Sequence, residues 1–157
     1  MATKSMWAST QSLMVVINYI NEMQLRDYRR ALDAILDKSH VKKLTIIVNV
    51  PKEIDKTTLP PHFLIYYNSP SDYSFLGKLK DVLLMRELEK SFDLLLWMGT
   101  VNQKVYPEIK NTSFNKKVVV NGSDDAYFDL QLQTAEENPT DILSFVTTTL
   151  DKIELYG

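Results

Sequence analysis

Short apolar runs that stop abruptly constrain the fold of this chain of 157 residues more than any other feature of its sequence. Each run has the length of a β-strand, and most are rich in β-branched or aromatic residues and are followed by proline, glycine or asparagine. The runs are Leu44–Val50, His62–Tyr67, Asp93–Met98, Lys117–Asn121 and Ala126–Gln133. Amphipathic stretches at Leu76–Lys90 and after Asn138 predict helices. This alternation predicts an α/β fold of three layers, in which helices flank a mostly parallel sheet of about five strands.

The stretch Met6–Lys38 contains neither glycine nor proline, and its apolar residues recur at helical spacing. It predicts a long N-terminal helical segment over 1–38, followed by an α/β domain over 39–157, within a single compact domain. An unbroken helix of that length would measure about 50 Å, more than a domain of this size covers. Either the helix breaks near Asn21–Asp27, or its first half packs on a second copy of the chain. In the second case the dimer seam consists of Leu13, Val16, Ile17 and Ile20.

The composition excludes several classes of functional site. The only glycines are Gly77, Gly99, Gly122 and Gly157, and their spacing cannot form a glycine-rich phosphate-binding loop. Cysteine is absent and the two histidines are far apart in the sequence, which excludes zinc sites built on Cys or His clusters and thiol catalysis. We therefore expect neither a cofactor nor a bound metal.

The charge distribution bears on partners and compartment. Residues 121–157 hold a single basic side chain, Lys152, among many carboxylates, which argues against nucleic-acid binding there. The basic group within Arg26–Lys43 is more typical of a solvated helix face and loop than of a phosphate-binding surface. The apolar run Leu13–Ile20 is too short to span a membrane, and no signal-peptide cleavage site follows it. We expect a cytoplasmic protein without membrane contact.

Three short segments carry a resemblance to a known family. They are a polar and aromatic stretch before Gly77-Lys78, the Phe-Asp-Leu-Leu sequence at Phe92–Leu95 and the Phe-Asp-Leu sequence at Phe128–Leu130. Over residues 40–153 the chain resembles a family of uncharacterised bacterial α/β proteins known only as a domain of unknown function. The resemblance implies a Rossmann-like fold, implies no established activity and assigns no functional residue. The proline-rich link 51–61 departs from the family pattern, in which a fuller helix is expected.

Candidate binding residues follow the predicted strands. In open parallel sheets, ligands bind beyond the carboxyl ends of the strands, near the point where the strand order reverses. The neutral polar residues at these ends could hydrogen-bond a sugar, an amide or a nucleobase, or could simply form turns; they are Asn49, Asn68, Ser69, Gly99, Thr100, Asn121 and Gly122. Asp93 and Asp129 precede apolar runs, so we expect them at the opposite edge as turn or cap residues. No nucleophile elbow is present, and no catalytic residue is assigned.

Two functions remain open from the sequence. The first is a non-enzymatic protein-interaction domain that acts as a homodimer, because no catalytic constellation is recognisable and the N-terminal amphipathic stretch is overlong. The second is a module that binds a nucleotide or a sugar, or a transferase for one, through the polar strand ends. The two differ in which surface is functional, the segment 1–38 or the carboxyl edge of the sheet.

Overall fold

The computed structural model describes residues 4–101, 103–122 and 126–155, and its strands and helices alternate along the chain. The strands are β1 (Lys4–Ser5), β2 (Ser12–Asn18), β3 (Lys43–Asn49), β4 (Ile65–Asn68), β5 (Ser91–Met98), β6 (Ser113–Val120), β7 (Leu130–Leu132) and β8 (Glu154–Leu155). The helices are α1 (Glu22–Lys38), α2 (Val82–Leu88), α3 (Val105–Ile109) and α4 (Pro139–Asp151). Single 3₁₀ turns lie at Lys56–Thr58 and Pro70–Asp72.

The main sheet has six strands in the order β4-β3-β2-β5-β6-β7, and every neighbouring pair in it is parallel. When the strands of this sheet alone are numbered along the chain, the order is 3-2-1-4-5-6. The doubly wound folds that bind dinucleotides have the same strand order. The order reverses between β2 and β5, so the topological switch point lies there. The predicted α/β class, with a mostly parallel sheet flanked by helices, is confirmed, with six strands in place of about five. The short strands β1 and β8 form a separate antiparallel pair.

Helices cover both faces of the sheet and complete the three layers. Successive side chains of a strand point to opposite faces, so β2 contributes Val15 to one core and Val16 to the other. The core that contains Val15 also contains residues of α1 and α4, and the core that contains Val16 also contains residues of α2 and α3. Among the described residues, no helix combines the length and the apolar character needed to cross a membrane.

The predicted long N-terminal helix is wrong. Residues Ser12–Asn18 form the strand β2 at the centre of the sheet, and α1 begins at Glu22. Asn21 caps this helix, because its Oδ1 accepts a hydrogen bond of 2.8 Å from the backbone N–H of Gln24. The chain therefore changes from strand to helix over Tyr19–Asn21 without a glycine or a proline.

The predicted dimer seam is also wrong, since its residues do not share an exposed surface. Leu13, Val16 and Ile17 are buried within the sheet, between β3 and β5. Ile20 alone among the four is exposed, at 66% of its surface. A run that is apolar at every position suits a strand covered on both faces, and here that environment outweighs the helical spacing.

An asparagine row at the carboxyl edge of the sheet

Three adjacent strands end in asparagine at the same level of the sheet. Asn18, Asn49 and Asn68 are the last residues of β2, β3 and β4. The strand register pairs Asn18 with Asn49 and Asn49 with Asn68. Paired residues of parallel strands place their side chains on the same face. We call these three residues the asparagine row; it begins at β2, beside the switch point.

Hydrogen bonds orient the first two amides of the row. The Nδ2 of Asn18 donates to the carbonyl oxygen of Thr100 at 3.2 Å, and the same carbonyl accepts from the indole Nε1 of Trp97 at 3.0 Å. The Oδ1 of Asn18 accepts from the Nδ2 of Asn49 at 3.1 Å. The side-chain Oδ1 of Asn49 is then left buried, with no hydrogen-bond partner among the described residues.

Tyr73 orients the third amide. Its hydroxyl donates to the Oδ1 of Asn68 at 3.0 Å, and both residues are buried. Burial raises the pKa of the Tyr73 phenol, because it disfavours the charged phenolate. The phenol therefore stays protonated and remains a donor. The Nδ2 of Asn68 is left as a buried donor without a partner in the part of the chain that the structure describes.

The two unpartnered amide atoms are unusual for a folded protein. Asn49 is 7% exposed and Asn68 is 4% exposed, so neither amide has ready access to bulk water. A buried polar group without a hydrogen bond costs roughly 1–3 kcal/mol of stability, and most such groups in native proteins are paired. The asparagine row thus holds one free acceptor and one free donor on neighbouring strands.

A cleft of about 330 Å³ opens on the asparagine row, and we call it the row cleft. This volume lies at the lower end of the range for small-molecule sites. Val50, Pro51 and Pro70 give the cleft apolar surface, and Lys104 contributes a positive charge. The full lining comprises Asn18, Tyr19, Asn49, Val50, Pro51, Asn68, Ser69, Pro70, Gln103 and Lys104.

No family model, no curated protein and no solved structure matches the chain. The resemblance to the uncharacterised bacterial family stays a prediction, and any function proposed for this chain rests on the geometry of the site. Among the described residues, no group of three or more His, Asp or Glu side chains is placed to hold a metal ion.

The structure divides the predicted binding residues between two clefts. Asn49, Asn68 and Ser69 line the row cleft. Gly99, Thr100 and Asn121 line a second cleft of about 410 Å³ at the ends of β2, β5 and β6. The two clefts adjoin at Asn18, which lines both of them.

Several of the predicted residues have structural roles at their positions. Asn121 adopts a positive φ of 55°, and its Oδ1 accepts a hydrogen bond from the N–H of Thr134 at 2.8 Å. Gly99 has a φ of +97°, which favours glycine. Gly122 lies against the backbone of Gly99. Ser69 donates its N–H to Asp72 at 2.8 Å, within the turn after β4. For Asn121, Gly99 and Gly122, turn formation and packing account for the residue type.

The two aspartates Asp93 and Asp129 bind backbone N–H groups at the amino edge of the sheet. The Oδ2 of Asp93 accepts hydrogen bonds from the N–H groups of Gln11 at 2.8 Å and Ser12 at 3.2 Å. The Oδ2 of Asp129 accepts from the N–H of Lys117 at 2.8 Å. Both carboxylates therefore accept hydrogen bonds from backbone donors of neighbouring segments, and Asp93 lies inside β5 rather than in a turn.

Sequence reasoning missed Asn18 and Lys104, and it did not assign Tyr73 to the site. Asn18 was not considered as the end of a strand, because the segment 1–38 was predicted to be helical. A signal for it exists in the sequence, since Ile17-Asn18, Val48-Asn49 and Tyr67-Asn68 each place an asparagine directly after an apolar or aromatic residue of a run. Tyr73 and Lys104 carry no comparable sequence signal, because their place at the cleft depends on the folded arrangement of distant segments.

Proposed function

We propose that the chain is a binding module for a small molecule and that the row cleft is its site. The observation that carries the proposal is the pair of unpartnered buried atoms, the Oδ1 of Asn49 and the Nδ2 of Asn68. A ligand that donates to the first and accepts from the second removes both desolvation penalties in one step. The proposal corresponds to the small-molecule hypothesis from the sequence, at a site that adds Asn18.

The lining suggests binding rather than catalysis as the activity of this cleft. Among the described residues that line it, none is an aspartate, a glutamate or a histidine. Its polar groups are amides, one serine hydroxyl, one tyrosine and one lysine. Amides do not ionise near neutral pH, so they recognise hydrogen-bonding patterns without acting as general acids or bases.

Replacing either Asn49 or Asn68 with leucine should abolish the stabilisation that a ligand gives to the protein. Leucine has the same number and branching of side-chain heavy atoms as asparagine and offers no hydrogen bond, so the variant loses the recognition atoms of the cleft. A thermal-shift screen of nucleosides, nucleotides, sugars and small amides on the wild-type chain identifies the stabilising compounds, and the two variants are then measured with each of them. Stabilisation by a bound ligand follows from mass action, so loss of affinity appears as loss of the shift in Tm.

Asn115→Leu is the matched control for these variants. Asn115 is exposed on β6, and its side chain bonds to Asp93 at the opposite edge of the sheet. This variant should keep the full ligand-induced shift. The proposal is contradicted if no compound shifts the wild-type Tm, or if both leucine variants respond to the active compounds as the wild type does.

We infer a second candidate function, contact with a second copy of the chain, from the surface beside β4. This strand ends the main sheet, so one side of its backbone faces no other strand of the described residues. Beside it lie Phe63, which is 85% exposed, and Leu83, which is 66% exposed, and both line a groove with Ile65. Exposed apolar side chains beside an open strand edge favour pairing with another strand. Two copies can pair in this way about a twofold axis.

The double variant Phe63→Glu, Leu83→Glu should be monomeric, and the wild type should be dimeric. Four carboxylates would face one another across the twofold interface, and their repulsion and desolvation oppose association. Light scattering coupled to size exclusion measures the mass of each protein over a range of concentrations. Ile20→Glu is the control, because Ile20 is equally exposed but lies away from β4, after β2. A wild type that is monomeric at every concentration contradicts this candidate.

A further inference from the structure

We infer that the ligand of the row cleft is a nucleobase, recognised through an edge that presents a hydrogen-bond donor beside an acceptor. This inference rests on the proposed binding function and names the chemical class of the ligand. It depends on three properties of the cleft: the order of its free hydrogen-bonding atoms, the shape and polarity of its walls, and the charge of Lys104.

The free atoms of the row define the complementary pattern on the ligand. The Oδ1 of Asn49 needs a donor, and the Nδ2 of Asn68 needs an acceptor. The two residues are register partners on neighbouring strands, and such strands lie about 5 Å apart. The ligand must therefore carry an N–H group next to a carbonyl oxygen or a ring nitrogen. Nucleobases have this arrangement along their edges, and asparagine is a common partner for it.

The amides are held in this order by their neighbours. The Oδ1 of Asn18 accepts a hydrogen bond from the Nδ2 of Asn49 at 3.1 Å, so the Oδ1 of Asn49 is the atom left for a ligand. The hydroxyl of Tyr73 donates a hydrogen bond to the Oδ1 of Asn68 at 3.0 Å, so the Nδ2 of Asn68 is the atom left for a ligand. Rotating the Asn49 amide by 180° would place its oxygen against the Oδ1 of Asn18 and break the hydrogen bond between them. Asn18 and Tyr73 are therefore positioning residues: Asn18 fixes which atom of Asn49 is free, and Tyr73 holds Asn68 with its Nδ2 free.

The walls favour a planar ring over a sugar. Val50, Pro51 and Pro70 line the cleft with apolar surface, and Tyr19 adds an aromatic side chain. A flat heterocycle makes favourable contact with such surfaces through its faces. A sugar could satisfy the two free amide atoms, but it lacks the flat apolar faces that contact Val50, Pro51 and Pro70.

Lys104 adds a preference for an anionic group on the same ligand. It lies in the lining of the row cleft and is exposed, and it forms no ion pair with a described residue. Its Nζ lies 5.6 Å from the ring centre of Tyr73, the residue that orients Asn68. A phosphate attached to the nucleoside can reach an ammonium group at the mouth of the cleft, so a nucleotide should bind more tightly than its nucleoside.

The test compares nucleosides with analogues that differ only at the recognised edge, using the full wild-type chain and isothermal titration calorimetry. The pairs are uridine with 3-methyluridine, inosine with 1-methylinosine, and adenosine with N6,N6-dimethyladenosine. In each pair, methylation removes the N–H group that would donate a hydrogen bond to the Oδ1 of Asn49. At least one parent nucleoside should bind, and its methylated analogue should bind about tenfold or more weakly, which corresponds to the loss of one buried hydrogen bond. These comparisons use only the wild-type protein, so their outcome does not depend on whether a variant folds.

Two variants complete the test. Asn68→Asp replaces the free donor with an acceptor and should lower nucleoside affinity at least as much as methylation, while Asn115→Asp should leave it unchanged. The 5′-monophosphate should bind more tightly than the nucleoside, and Lys104→Gln should remove that difference. Equal affinities of nucleotide and nucleoside for the wild type overturn the part of the inference that concerns Lys104.

The outcomes separate this inference from the proposed function. Methylated and parent nucleosides that bind equally well overturn the edge recognition. Binding of a sugar or a simple amide but of no nucleoside, lost in Asn49→Leu, overturns the nucleobase and leaves the binding function standing. Wild-type affinity in both leucine variants, or no binding by any of these compounds, overturns both.

Discussion

Replacing Val16 with aspartate should unfold the protein, whereas the same replacement at Ile20 should leave it folded. Val16 is fully buried in β2, between β3 and β5, and belongs to the core beneath α2 and α3. An unpaired carboxylate at that position costs at least several kcal/mol. The total stability of a domain of this size is about 5–15 kcal/mol. Ile20 is 66% exposed, so a carboxylate there remains in water.

Circular dichroism and urea unfolding of the two variants measure this difference directly. The positions are i and i+4, which share one face of a helix. If the segment were helical and formed a dimer seam, both aspartates would weaken the same interface to a similar degree. Similar responses from the two variants would therefore contradict the placement of β2 at the centre of the sheet.

The strands that the sequence predicted well are those whose local signals agree with one another. The run predicted at Leu44–Val50 becomes β3 at Lys43–Asn49, and the run at Asp93–Met98 falls within β5. Both are apolar runs of strand length with a clear stop in proline or glycine. The start of α4 was also predictable, because Asn138 caps it with a 2.8 Å hydrogen bond to the N–H of Thr140 and Pro139 occupies its first turn.

The strand β2 was missed because its local signals conflict. Its apolar residues at 13, 16, 17 and 20 fit helical spacing, yet Leu13–Ile17 is also a run of consecutive apolar residues that suits a strand buried on both faces. What decides between them is pairing with β3 and β5 on its two sides. Those partners come from distant parts of the chain, so no local pattern contains the information.

The candidate site was predictable only in part, for a similar reason. Asn49 and Asn68 follow recognisable strands, and their place at the carboxyl edge could be inferred. Which of their amide atoms stay free depends on Asn18, Thr100 and Tyr73, through contacts that form only when the sheet has assembled. The direction of ligand recognition is therefore a property of tertiary structure.

Replacing Gly122 with alanine should destabilise the protein and also weaken ligand binding. A Cβ at this position would lie 2.3 Å from the Cγ2 of Val119 and 2.6 Å from the carbonyl oxygen of Gly99. The Val119 side chain can rotate, but the Gly99 carbonyl belongs to the backbone at the end of β5. Relief of the clash must therefore move the ends of β5 and β6 apart. Overpacking of this kind costs about 1–3 kcal/mol and sometimes more.

The same displacement reaches the asparagine row through a short series of contacts. Gly99 precedes Thr100, whose carbonyl holds Asn18, and Asn18 in turn orients Asn49. Gly122→Ala should therefore lower ligand affinity, although Gly122 does not line the row cleft.

Gly77→Ala is the control, because a Cβ there would meet nothing within 4 Å and only the positive φ of +81° opposes it. That conformation costs a side-chain-bearing residue roughly 1–2 kcal/mol. Urea unfolding gives the free energy of unfolding of both variants, and calorimetry gives their affinity for the active compound. If Gly122→Ala is no less stable than Gly77→Ala and binds equally well, then the packing of Gly122 on Gly99 neither limits stability nor supports the site.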